Sequence, residues 1–158
     1  MKKVALLLLL ASFTITAQQS ATDSAFVPNP EKIYRTVETD TRPDLYGGMY
    51  TFSKYIGQHL TLPEIRNRKI TVFVGFVVEN DGQLTDVKFI HLSAEKLYDI
   101  ASDSSNADLS FIEAPVYESL KQQSVQIISD FKGKWIPATI SGIPVRCQYN
   151  YPIMINLE

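Results

Sequence analysis

From Ile70 onward apolar side chains fall on every second position: Ile70, Val72, Val74, Phe76 and Val78 share one face, with Thr71, Phe73, Val77 and Glu79 on the other. That period of two predicts a strand with one face turned to a core. Asn80-Asp81-Gly82 follows, and because Gly and Asn tolerate positive φ the triplet predicts a tight hairpin. A second strand is expected from Gln83 to Leu92, where Val87 and Phe89 alternate with Asp86 and Lys88. Upstream the spacing is helical instead. Met49, Phe52, Ile56 and Leu60 form one stripe after Gly47-Gly48, and Pro63 stops it.

Beyond the hairpin the pattern loosens. Ala94 to Ala101 predicts a short helix, and residues 102–108 form a polar loop with nothing to pack. Pro115 suits the first turn of a second helix, whose stripe Val116, Leu120, Ile127 and Phe131 is broken by Ser124 and ended by Gly133. Alternation then returns. Val145, Cys147, Tyr149, Tyr151, Ile153 and Ile155 face one way, and Arg146, Gln148, Asn150 and Met154 the other, which predicts a long terminal strand. Pro152 lacks a ladder donor and so marks a stretch with one side unpaired. Residues 18–44, with Pro28, Pro30 and Pro43 and no periodicity, are expected as a flexible lead-in.

The fold expected from this order (helix, strand, strand, helix, strand) is α+β, two helices packed on a three-stranded antiparallel sheet. The last strand crosses over to pair with the first, leaving both outer strands with a free edge, and a free edge is either protected or used.

Composition narrows the function. With 45% hydrophobic and 20% charged residues over 158 positions, the chain fits one globular domain, placed at 45–158. Fifteen Lys+Arg against seventeen Asp+Glu provide no basic field, so nucleic acid is not expected as a partner. Two histidines, His59 and His91, and a single cysteine, Cys147, suit neither a zinc site nor a disulfide framework, so no metal and no cofactor are expected. Cys147 on an inward strand face reads as a small buried apolar residue. Residues 1–17 run Met-Lys-Lys, an apolar stretch, then Thr14-Ile15-Thr16-Ala17, the layout of a secretory signal peptide cut after Ala17. Its apolar part is shorter than the roughly 20 residues a membrane span needs. Removing Lys2 and Lys3 with it takes the net charge from −2 to −4, a mildly acidic chain exported to the periplasm or envelope.

Three stretches in order resemble the TonB C-terminal domain family. Gly47-Gly48-Met49 with Phe52, Lys54-Tyr55-Ile56 and Leu62-Pro63-Glu64 is similar to its opening. Phe76 to Val87, through Asn80-Asp81-Gly82, is similar to its hairpin. Trp135-Ile136-Pro137-Ala138 and Gly142-Ile143-Pro144-Val145 are similar to its closing signature. The resemblance spans about residues 45–157. It implies a TonB C-terminal-like fold and a non-enzymatic envelope domain. The partner it implies is an outer-membrane transporter or other envelope protein, whose extended segment adds to the edge of the terminal strand; a second copy using the same edge is the other candidate. By position Arg146, Gln148 and Asn150 are the expected partner contacts, and Gln148→Pro is expected to abolish strand addition in a folded monomer. Gly47, Gly48, Trp135, Pro137, Gly142 and Pro144 are expected to serve the fold.

Two other readings compete. An uncleaved signal would make a minimal membrane-anchored energy transducer, although the chain has no long Pro-rich spacer of the kind such a machine uses. A small secreted hydrolase would need two facing carboxylates from among Asp81, Asp86, Asp99 and Asp103. No Gly-x-Ser-x-Gly elbow, phosphate loop or cofactor fingerprint occurs, so no catalytic residue and no small-molecule substrate are expected.

Overall fold

In the computed structural model, which describes residues 26–97 and 110–158, eleven elements follow one another. The chain runs β1 (Tyr34–Arg35), a 3-10 turn (Thr36–Glu38), β2 (Asp44–Leu45), α1 (Met49–His59), β3 (Arg68–Val78) and β4 (Leu84–Lys96). It continues with α2 (Ser110–Asp130), β5 (Trp135–Ile136), β6 (Ala138–Ile140), β7 (Ile143–Val145) and β8 (Cys147–Leu157).

These strands make three sheets. The principal one has the order β1-β8-β3-β4, with β1 parallel to β8 and the other pairs antiparallel. β2 pairs with β5, and β6 with β7. The expected three-stranded antiparallel sheet carrying two helices is therefore wrong: the sheet has four strands, is mixed and curls, and two further ladders flank it. The physical reason is the length of the missed strands. A two-residue strand such as Tyr34–Arg35 or Asp44–Leu45 carries no period of its own, and only its tertiary partner defines it.

The curl has a visible source in β4. Its register skips Ile90 between the pairs Phe73↔His91 and Val74↔Phe89, and shifts again between Gly75 and Val77, where Asp86 has a φ of 49°. Such bulges bend a strand and increase its twist. β4 also runs longer than expected. Ala94, Glu95 and Lys96 pair with Ile70, Lys69 and Arg68, so Ala94–Lys96 are strand rather than the start of a helix. The expected signal segment 1–17 and the polar loop 102–108 lie outside the described residues.

β3 is the centre of the fold, and Ile70, Val72, Val74, Phe76 and Val78 are buried as its alternation requires. Onto this face α1 lays Phe52, whose ring meets four others edge-on: Phe131 at 4.8 Å, Tyr151 at 4.9 Å, Trp135 at 5.3 Å and Phe76 at 6.3 Å. α2 begins five residues before Pro115. The turn before the proline is held by Glu113, which accepts from Arg68 at 2.7 Å and from the Tyr117 hydroxyl. Both ends of the Arg68–Glu113 pair are largely buried, at 12% exposure. Along α2, Leu120, Ser124, Ile127 and Ile128 are buried, so Ser124 fills the stripe it was expected to break.

The segment expected as a lead-in contributes a second, smaller core. Tyr34, at 4% exposure, packs with Ala138, Ile140, Val145 and Cys147. No helix among the described residues is long and apolar enough to cross a membrane.

Candidate functional site

β8 is a strand of eleven residues without one charged side chain, and its two edges differ. On one side it pairs with β3 from Cys147↔Val78 to Leu157↔Arg68 with no shift in register. On the other, β1 covers only its start, with Tyr34 opposite Cys147 and Arg35 opposite Gln148. The Tyr34 N–H donates to the Arg146 carbonyl at 2.9 Å, which places the backbone groups of even-numbered residues on the β1 side. Since the register is unbroken, Asn150, Pro152, Met154 and Asn156 also turn their backbone groups away from β3. Pro152, with no N–H, stands on that outer side, where the β3 ladder loses nothing.

β1 stops because the chain turns away after Arg35. Glu38 accepts the Arg35 backbone N–H at 2.8 Å and pairs with Lys32 at 3.0 Å. The backbone bond, with Lys32 beside it, holds the Glu38 carboxyl down to about 2. From Tyr149 to Leu157 no described strand pairs with the outer edge of β8.

Beside this open edge lies a groove of about 430 Å³. α1 supplies Ile56 and Gly57, its C-cap and the following loop supply Leu60 and Leu62, and β8 supplies Tyr151 to Asn156. Ser53 closes one end by a 2.7 Å hydrogen bond between its hydroxyl and that of Tyr151. No lining side chain is charged, and Met154 and Leu62 are exposed at 71% and 58%. An uncharged groove along an unpaired strand edge can receive an extended chain. Backbone hydrogen bonds give affinity, and pockets for alternate side chains give selectivity.

The three expected contacts separate. Arg146 is held within the fold: its Nε and Nη2 donate to Glu79 at 2.6 and 3.0 Å, and its Nη1 to the Glu31 carbonyl at 3.2 Å. Arg146 in turn holds the Glu79 carboxyl below the usual carboxylate range. Gln148 lies between Val77 on β3 and Arg35 on β1, so proline there would damage the fold itself. Asn150 alone of the three stands on the uncovered part of the edge. That Gly57, Leu62 and Met154 line one groove was not read from the sequence. The signals that point to them are a glycine inside the helical stripe and an uncharged run on the terminal strand.

The remaining motif residues surround other parts of the fold. Gly47 and Gly48 have positive φ, and Gly48 caps α1. Trp135 lies in the main core, and Pro137 joins β5 to β6. Ser141 and Gly142, both at positive φ, make the two-residue turn between β6 and β7, where Pro144 pairs with Thr139.

Among the described residues the candidate catalytic groups do not converge. Asp81 accepts from Gln83 in the hairpin turn, and Asp86 pairs with Lys88 at the surface. Asp99 and Asp103 lie outside the described residues. His59 stacks on Tyr55, and His91 on Phe73. Among the described residues no three His, Cys, Asp or Glu side chains cluster in a way that could hold a metal ion. Cys147 is fully buried, and burial pushes its thiol up to about 11. At pH 8 only about one thiol in a thousand is then ionised, and the thiolate is the nucleophile. Native protein is expected to resist 5,5′-dithiobis(2-nitrobenzoate) for hours and to react within seconds in guanidinium; rapid labelling of the native chain would refute the assignment.

No family model, no curated protein and no solved structure matches the chain.

Proposed function

We propose that this chain is an exported, non-enzymatic binding domain related through its sequence motifs to the TonB C-terminal domain family. It takes an extended segment of an outer-membrane transporter or another envelope protein onto the open edge of β8. The observation that carries the reading is the edge from Tyr149 to Leu157: no described strand pairs with it, and it is uncharged and flanked by an apolar groove. Sheet edges left open in solution are ordinarily blunted by charge, and this one carries no charge, its one blunting feature being Pro152. The sequence resemblance, the signal-like residues 1–17 and the absence of any catalytic motif support the same reading.

Met154→Pro is the test. Its N–H faces the open side, so proline there leaves the β3 ladder intact while deleting a donor that an added strand needs. Residue 153 is already extended, as a residue before proline prefers. We expect Met154→Pro to unfold in urea within about 1 kcal/mol of the parent. Its affinity for synthetic peptides copied from the N-terminal segments of outer-membrane transporters of the same cell is expected to fall at least tenfold. Retained peptide affinity in a folded variant refutes strand addition at this edge.

A further inference from the structure

Gly57 lines the groove, and nothing within the chain requires a glycine there. It sits inside α1, where glycine weakens a helix relative to alanine because it leaves the backbone freer in the unfolded state. Its φ is not positive, so conformation does not demand glycine. A Cβ built on it meets no atom within 4 Å, so packing does not demand it either. The missing side chain leaves space on the groove wall, between Ile56 and Leu60 and facing the open edge of β8.

Resting on the edge-binding reading above, we propose that Gly57 sets the selectivity of the groove. It admits one large, uncharged apolar side chain from an extended segment of a partner protein that continues along β8 where β1 stops. Three observations favour this occupant. The chain's own β1 already pairs with this edge in parallel, at Cys147 and Gln148, so an added strand continues an interface the fold has begun. The groove offers no charged group to neutralise a charged guest, and a buried unpaired charge is expensive. A second copy pairing edge to edge about a two-fold axis would bring its own α1 to the same face, opposite the first. A segment without a flanking helix avoids that opposition.

The probe is a set of fluorescein-labelled nonapeptides, a Ser/Thr host with terminal lysines, carrying Leu, Ala or Glu at each of three central positions. With the full chain, we expect the best Leu peptide to bind at least tenfold more tightly than its Ala and Glu counterparts. In Gly57→Leu that preference should vanish: affinity for the Leu peptide falls at least tenfold and for the Ala peptide less than threefold, with no drop in thermal midpoint. Gly57→Ala serves as the control for helix stabilisation and should retain most of the Leu preference. If Gly57→Leu binds the Leu peptide like the parent while Met154→Pro loses it, Gly57 has no such role and the edge reading stands. If no peptide binds the parent at millimolar concentration, both fall. A stable dimer in sedimentation equilibrium that Met154→Pro dissociates would make a second copy the occupant and overturn the proposal.

Discussion

Trp135→Ala is expected to cost about 3–5 kcal/mol, the range for emptying a buried aromatic site. Trp135 is fully buried at the end of the aromatic cluster, with ring centroids 5.3 Å from Phe52, 5.2 Å from Phe76 and 5.9 Å from Tyr149. Those three rings come from α1, β3 and β8, so the cavity left by alanine opens where separate elements meet and cannot close by moving one of them. The same residue pairs through its backbone with Leu45 of β2. The loss is therefore expected to loosen the small ladder as well as the core. Among the described residues the indole N–H meets no acceptor, so Trp135→Phe should restore most of the stability. Urea titration followed by far-ultraviolet circular dichroism reads both variants; a loss under 1 kcal/mol for alanine would contradict this account of the core.

Gly82→Ala is expected to cost about 2–5 kcal/mol. Its φ of +82° costs an L side chain about 1–2 kcal/mol. In addition, a Cβ there would lie 2.3 Å from the Trp135 carbonyl oxygen. That oxygen belongs to backbone and cannot rotate away, so the hairpin tip and β5 must part, at about 1–3 kcal/mol. Parting them also strains the 3.2 Å bond from the Trp135 N–H to the Gly82 carbonyl. Gly142 isolates the first contribution, for it has a φ of +76° with nothing within 4 Å of a built Cβ. Gly142→Ala should cost only about 1–2 kcal/mol. Equal losses at the two glycines would mean that the approach of Gly82 to Trp135 carries no weight. Since Trp135 is the only tryptophan, its fluorescence should shift in Gly82→Ala and not in Gly142→Ala.

These two residues show how far sequence pattern reaches. Asn80-Asp81-Gly82 is readable as a turn, and Trp135 as a packing residue, but their contact joins positions far apart in the chain and no local period encodes it. β3 was legible because one face is wholly buried, which forces strict alternation. The end of β4 was not: Ala94-Glu95-Lys96 has no apolar period, and only its ladder with Arg68–Ile70 makes it strand. The early start of α2 depends on Glu113 meeting Arg68, a contact across 45 residues. Likewise the terminal strand was visible, whereas its covering was not. Arg146 looked free because the groups that hold it, Glu79 and the Glu31 carbonyl, lie 67 and 115 residues away. The open part of the edge was identifiable from its uncharged composition, and the groove beside it from nothing but the packing of α1.

The principal sheet has two exposed edges, that of β4 and the part of β8 that β1 leaves uncovered, and they are not equivalent. Growth of an open array needs two receptive edges per molecule, one to accept a neighbour and one to be accepted. β4 presents two bulges and the side chains of Lys88, Glu95 and Lys96, both of which discourage pairing. β8 presents neither, and only Pro152 interrupts its donors on that side. On the edge-binding reading proposed above, a chain with one receptive edge binds one strand and then has nothing left to extend from, so its encounters would end in closed pairs and not in fibres.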